Sequence, residues 1–175
     1  MSDVQIRLAR ESEFVDVGAL TVAGYDADGY LTRNDGSFDE GYAGFLRDAQ
    51  TRGDDGQLVV ATRGDTILGT VTWCPPGSPF RELATVDSQG ELRTLSVSPN
   101  ARGTGVGRAL VHWCIDQAHR GGLAEVVLSS LPEMAPAHNL YESFGFIRRP
   151  EWDWSPMPDV QLWGFSLDMS SRHTL

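Results

Sequence analysis

A chain of 175 residues, 41% hydrophobic and 22% charged, is long enough for one well-filled core and too short for two ordinary domains with a linker, so a single domain is expected over residues 1–175. All 14 cations are arginine, which excludes Schiff-base lysine chemistry and any Walker-type phosphate loop with its lysine. The net charge of −10 argues against a general affinity for nucleic acid, and residues 1–55 alone carry 12 acids against 5 arginines, so a charged partner is expected to be cationic.

Val4 to Leu8 alternates apolar and polar residues and predicts a strand, and Glu11 to Val22 switches to helical spacing through Phe14, Val17 and Leu20. Gly24 to Gly41 is dense in Gly, Asp, Asn and Ser and reads as a loop whose Tyr25, Tyr30 and acids are placed to line a site; Tyr42 to Thr51 then reads as a short helix. Leu58 to Thr62 and Thr66 to Trp73, joined across Gly64-Asp65, predict a hairpin. After the break at Pro75-Pro76-Gly77, Glu91 to Val97 predicts a strand ending before Pro99, followed by a helix from about Gly105 to Ala118. Ala124 to Ser130 reads as a buried strand, Pro136 opens a helix that closes near Gly145, and Val160 to Leu167 is the last strand. This order describes an α/β fold with a mixed sheet and helices on its faces.

The stretch Leu95-Ser96-Val97-Ser98-Pro99-Asn100-Ala101-Arg102-Gly103-Thr104-Gly105-Val106-Gly107-Arg108 runs a strand into a glycine-rich turn that opens a helix. The first amides of a helix have no intrahelical acceptor, the dipole favours an anion there, and glycine lets a phosphate approach the backbone. A pyrophosphate is the natural guest, although a glycine-rich connection that binds nothing has the same composition. A nicotinamide dinucleotide fingerprint fits Gly103 and Gly105 but fails where Arg108 stands for the third glycine, and Glu125 opens its strand instead of closing it.

Arg102, Gly105 and Gly107 match Gln/Arg-x-x-Gly-x-Gly/Ala, and Ala137-His138-Asn139-Leu140-Tyr141-Glu142-Ser143-Phe144-Gly145-Phe146 matches Ala-x-x-Leu-Tyr-x-x-x-Gly-Phe. With these two motifs in order, the sequence resembles the GCN5-related N-acetyltransferases, strongly over about Glu91 to Phe146. The resemblance implies a mostly antiparallel central sheet with helices on both faces and a V-shaped splay after the fourth strand. It also implies acetyl-CoA as donor and a primary amine as acceptor. Carried onto this chain, backbone groups of Leu95, Ser96 and Val97 would face the pantetheine arm. Gly103, Thr104, Gly105, Val106, Gly107 and Arg108 would hold the pyrophosphate, with Arg102 and Arg108 adding charge.

Tyr141 would give a proton to the departing thiolate, a phenol of ordinary pKa ~10 being an adequate acid for a thiol near ~8.5; a core tyrosine beside Phe144 and Phe146 is the alternative. Glu91 would take the proton of the incoming ammonium, against the alternative of a solvated strand-edge carboxylate. Many relatives place a cofactor-touching asparagine where this chain has Met134; with the resemblance, Asn139, nearby at another helical angle, is the cofactor-binding residue in a swapped role, and Ser129 and Ser130 are the alternative replacements for the contact.

His112, His119, His138 and His173 have no ligand spacing, and no metal is expected. Trp152, Trp154 and Trp163, on an expected Pro-rich loop and the final strand, are expected to close the core, Trp152 or Trp154 alternatively forming an aromatic wall for the acceptor. Cys74 and Cys114 read as buried small hydrophobes outside any catalytic motif, which favours direct attack in a ternary complex over an acyl-enzyme. The expected partner is a small-molecule or peptide amine, with a homodimer as the compatible assembly. Neither nucleic acid nor a membrane is expected; without an apolar span or a basic leader, the expected place is the cytoplasm. The rival function is a non-catalytic acyl-CoA binding or sensing module, which would tolerate loss of both Glu91 and Tyr141.

Overall fold

The structure, a computed structural model, describes residues 3–170, so His173 lies outside the described residues. Seven strands and five helices follow in the order β1 (Val4–Leu8), α1 (Phe14–Ala27), α2 (Glu40–Arg47), α3 (Ala49–Asp55), β2 (Gln57–Arg63), β3 (Thr66–Cys74), β4 (Gln89–Val97), α4 (Val106–Arg120), β5 (Glu125–Ser130), α5 (Ala135–Phe144), β6 (Ile147–Met157) and β7 (Val160–Asp168). The strands form a sheet in the order β1-β2-β3-β4-β5-β7-β6. The ladders β1–β2, β2–β3, β5–β7 and β6–β7 are antiparallel, whereas β4 and β5 run parallel. That parallel ladder has three pairs, from Gln89 with Glu125 to Glu91 with Val127, and both strands continue past it.

The chain divides into two compact units, one running to Trp73 and including Thr94–Trp113, the other made of Cys74–Arg93 and the chain from Cys114. In the first, Val17, Ala49, Leu58 and Val60 form a buried cluster against which Ala9, Phe14 and Ile67 pack. Arg7 donates to both carboxylate oxygens of Glu13 at 2.9 and 2.7 Å, tying β1 to the helical turn before α1, and holds the Glu13 carboxyl down at a pKa of about 2. In the second unit, Val126, Val127 and Leu128 of β5 and Phe165 and Leu167 of β7 are buried, consistent with a central strand apolar on both faces.

Three elements differ from the sequence expectation. The first helix does not stop at Val22 but runs to Ala27, so Gly24 lies inside it. A Cβ at Gly24 would sit 2.1 Å from Ser96 Oγ, so this glycine serves a close approach of α1 to β4 and not a turn. The expected single helix Tyr42 to Thr51 is two, because Asp48 leaves helical geometry (ψ 75°) and its side chain caps α3 by accepting from Thr51 N–H at 3.0 Å. Finally, the proline-bearing stretch after Phe146 is the strand β6. It lies at the end of the sheet, where a missing N–H at Pro150 or Pro156 is tolerated, and its register breaks between Arg149 and Trp154 and again before Met157.

Among the described residues no helix is long and apolar enough to cross a membrane, and no group of three or more His, Cys, Asp or Glu is placed to hold a metal ion.

Candidate active site

The glycine-rich turn belongs to the first unit. β4 reaches it through Thr94, whose φ of +56° is left-handed; for a β-branched residue such geometry costs about 1–2 kcal/mol and marks a local departure from extended backbone just before Leu95. Leu95 and Val97 are half-buried, while Ser96 is buried and donates its Oγ to Thr21 O at 3.4 Å. Ser98 N–H reaches Leu68 O at 2.8 Å, and a short helical turn over Pro99–Ala101 follows. Gly103 and Gly105 then take φ of +73° and +88°, values that an L side chain adopts only with strain. The place of a Cβ on either is open space, with no atom within 4 Å. Thr104 Oγ1 closes the turn on Ala101 O at 2.5 Å. The first hydrogen bond of α4 runs from Ala109 N–H to Gly105 O, and buried Val106 and Leu110 seat the helix. A strand end, two left-handed glycines and the positive end of a four-turn helix therefore converge on one exposed turn.

Arg102 does not extend unencumbered toward that turn. Its Nη1 lies 2.5 Å from Asp28 Oδ1, and its Nη2 donates to Gly24 O at 2.8 Å. The guanidinium expected to add charge beside phosphates is engaged with the end of α1. Arg108 is exposed in the first turn of α4.

Glu91 and Tyr141 belong to the second unit. Glu91 is 1% exposed, and its Oε2 accepts the amides of Glu82, Leu83 and Ala84 at 2.9, 3.0 and 3.0 Å, while Oε1 lies 3.9 Å from Arg93 Nε. Burial pushes its pKa up, and the three amides and Arg93 pull the other way. Arg93, two residues along the strand, donates to Phe80 O at 2.7 Å, pairs with Glu82 at 2.9 Å and covers the Phe80 ring at 4.2 Å. The two side chains thus pin the segment between β3 and β4.

Tyr141 is buried in α5 at 5% exposure, its ring tilted against Phe146 at 5.8 Å and Phe165 at 6.2 Å. One turn earlier on α5, His138 Nε2 donates to Leu131 O at 3.0 Å and meets Ser130 Oγ at 3.1 Å, while its ring stacks on Trp163 at 5.6 Å. Burial lowers the His138 pKa, favouring the neutral ring. Ser130 Oγ reaches Met134 Sδ at 3.5 Å, so the residue standing where an asparagine was expected is itself held to the end of β5. Asn139 is exposed. Trp154 Nε1 donates to Ser129 Oγ at 3.1 Å, whereas Trp152 lies under the Arg149 guanidinium at 4.3 Å.

A family model for the Acetyltransferase (GNAT) family matches residues 25–146, which span both motifs and the turn. The chain belongs to the GNAT family. Relatives of this GNAT chain include a mycothiol acetyltransferase of Geodermatophilus obscurus, 35% identical over 59% of this chain and 32% of that protein. Another is an N-acetyltransferase of Schizosaccharomyces pombe, 33% identical over 59% of this chain and 58% of that protein. The chain thus matches about a third to somewhat over half the length of these curated relatives. Among solved structures, yncA of Salmonella typhimurium, determined with acetyl-CoA, superposes with a TM-score of 0.64 at 17% identity, covering 99% of this chain and 98% of that one. That likeness establishes the GNAT fold.

Sequence reasoning passed over three residues of this GNAT domain. Thr94 offered no signal, since a β-branched residue in a strand is ordinary until its φ is known. Arg93 had one: it stands two residues from Glu91, hence on the same side of β4. His138 sits inside the second motif, but its partners Ser130 and Leu131 come from another element and only the fold brings them to it.

Proposed function

We propose that this GNAT chain moves an acetyl group from acetyl-CoA to a primary amine by direct attack in a ternary complex. The observation that carries this reading is the exposed turn at Gly103 and Gly105, left-handed, open where side chains would stand, and leading into the first turn of α4. That turn fits a pyrophosphate: amides of residues 103–108 would hold it with the helix dipole, and a Cβ on either glycine would occupy the space the phosphates need. When bound, acetyl-CoA supplies a thioester carbonyl open to a nucleophile. Backbone groups of Leu95 and Val97, just after the left-handed Thr94, would pair with the pantetheine arm, as Ser96 turns its side chain inward.

Tyr141 is proposed to hold the proton that the leaving sulfur takes, its ring fixed by Phe146 and Phe165. Glu91 is proposed to anchor the loop: Oε2 is taken by three amides, and Oε1 is left beside the Arg93 guanidinium on a side chain only 1% exposed, which supports solvent as the acceptor of the ammonium's proton. An acyl-enzyme finds no support in the cysteines, since burial pushes the Cys74 thiol up to about 12 and the Cys114 thiol higher still. The acidic residues 1–55 support a cationic acceptor, small molecule or peptide, and the absence of a basic surplus speaks against nucleic acid.

The test is release of CoA thiol from acetyl-CoA across a panel of amines and peptides. Tyr141→Phe should lower kcat by ~10²-fold while acetyl-CoA affinity is kept. A chain that binds acetyl-CoA and releases no thiol with any acceptor would be a sensing module instead.

A further inference from the structure

Arg102 stands directly before the left-handed turn, where charge and position suggest a phosphate ligand, yet its guanidinium is committed elsewhere. The last four carbonyls of a helix lack intrahelical donors. In α1 the Asp28 N–H, which would continue the ladder to Gly24 O, goes to Asp26 O, and Gly29 N–H also reaches Asp26 O, at 2.9 Å. Tyr25 O takes the Tyr30 N–H at 3.1 Å. Gly24 O receives the Arg102 Nη2 at 2.8 Å, supplied from 78 residues away.

Asp28 adds to the case. A carboxylate at the negative end of a helix dipole is unfavourable by itself and needs a cation beside it, which Arg102 provides at 2.5 Å. A forked guanidinium satisfies a carbonyl and a carboxylate at once, which an ammonium on a flexible stem does poorly. The close approach that places Gly24 O within reach depends on the absent side chain at Gly24, since a Cβ there would meet Ser96 Oγ at 2.1 Å. The end of α1 is in turn continuous with the segment Asp28–Asp39: Tyr25 meets Tyr30 and Tyr42 edge-on at 6.1 and 6.0 Å, and Asp39 N–H bonds Leu31 O at 2.8 Å.

We infer that Arg102 is a positioning residue that locks the C-terminus of α1 to the glycine turn, so that donor binding at the turn and ordering of the Asp28–Asp39 segment are coupled. This rests on the reading of that turn as the pyrophosphate site. Linkage makes the coupling reciprocal: an occupied turn favours the ordered segment by the factor with which the ordered segment favours occupancy. A direct phosphate ligand behaves differently. Its loss weakens binding by itself, and removal of Asp28 frees it and tightens binding.

Calorimetry with coenzyme A on the full chain separates the two. Arg102→Ala, Asp28→Ala and Arg102→Lys should each weaken CoA by ~10-fold, within the usual range of coupling between sites, and the Arg102→Ala, Asp28→Ala double variant should be no weaker than the poorer single one. Hydrogen exchange gives an independent readout. Saturating CoA should slow amide exchange in residues 28–39 of the wild type and leave it unchanged in Arg102→Ala, while amides near Gly103–Gly105 are protected in both. If Arg102→Ala fails to fold, Asp28→Asn and the wild-type exchange pattern carry the same test. Unchanged or tighter CoA binding by Asp28→Ala, or no slowing in residues 28–39 of the wild type, overturns the coupling. A wild type with no affinity for CoA overturns the pyrophosphate reading as well, and so is told apart from failure of the coupling alone.

Discussion

Taking a carboxylate out of water costs several kcal/mol unless donors replace the lost hydration. Glu91 offsets part of that cost with three consecutive amides on one oxygen and Arg93 near the other, contacts that define the path of residues 82–84. Glutamine in its place can present one oxygen to the amides, but its NH₂ then faces Arg93 and the charge assistance is gone. Glu91→Gln is therefore expected to lower stability by about 1–3 kcal/mol in thermal melts. It should also leave the acidic limb of kcat/KM where wild type has it. An acidic limb that moves upward in the variant, with activity recovering toward the acceptor amine's own pKa, would instead identify Glu91 as the proton acceptor.

At the scale of elements, the turn and its helix make a unit whose shape depends on two left-handed residues, Gly103 and Gly105. Gly105→Glu places a strained side chain and a negative charge where the phosphates would sit. CoA binding should be lost while the fold survives, since nothing lies within 4 Å of the added Cβ. Calorimetry on the folded variant checks it, and unchanged affinity would remove the turn from the site. What could be read from sequence was what local chemistry decides. Alternation gave β1 and the β2–β3 hairpin their places, Pro136 and Gly145 bounded α5, and the spacing of Arg102, Gly105 and Gly107 located the turn. What could not be read was set by distant partners. Gly24 looked like a loop residue because its reason is Ser96, the anchoring of Glu91 waits on the shape of a loop, and β6 hid behind prolines that only an edge position permits. The contacts Arg102 makes could not be read because its partners lie 74 and 78 residues away.

The whole molecule carries a net charge of −10, of which residues 1–55 hold −7. A field of one sign attracts a cationic acceptor at low ionic strength and fades as the Debye length shrinks from ~10 Å at 0.1 M salt to ~3 Å at 1 M. For a polyamine acceptor, KM should rise several-fold over that range with kcat nearly unchanged, while a neutral-bodied monoamine should respond much less. Equal salt dependence for both would detach the acidic surplus from acceptor choice.

The chain has two cysteines, Cys74 and Cys114, both buried and both held protonated by their surroundings. A disulfide reagent added to an assay of the proposed acetyl transfer therefore meets two buried thiols in the folded protein, and any colour that grows with acceptor would belong to released coenzyme A. Once the fold opens, two sulfurs per chain become available, and the same reagent turns into a clock for that opening. Its rate, followed without substrate, reports how often the end of β3 and the second half of α4 come apart from their surroundings.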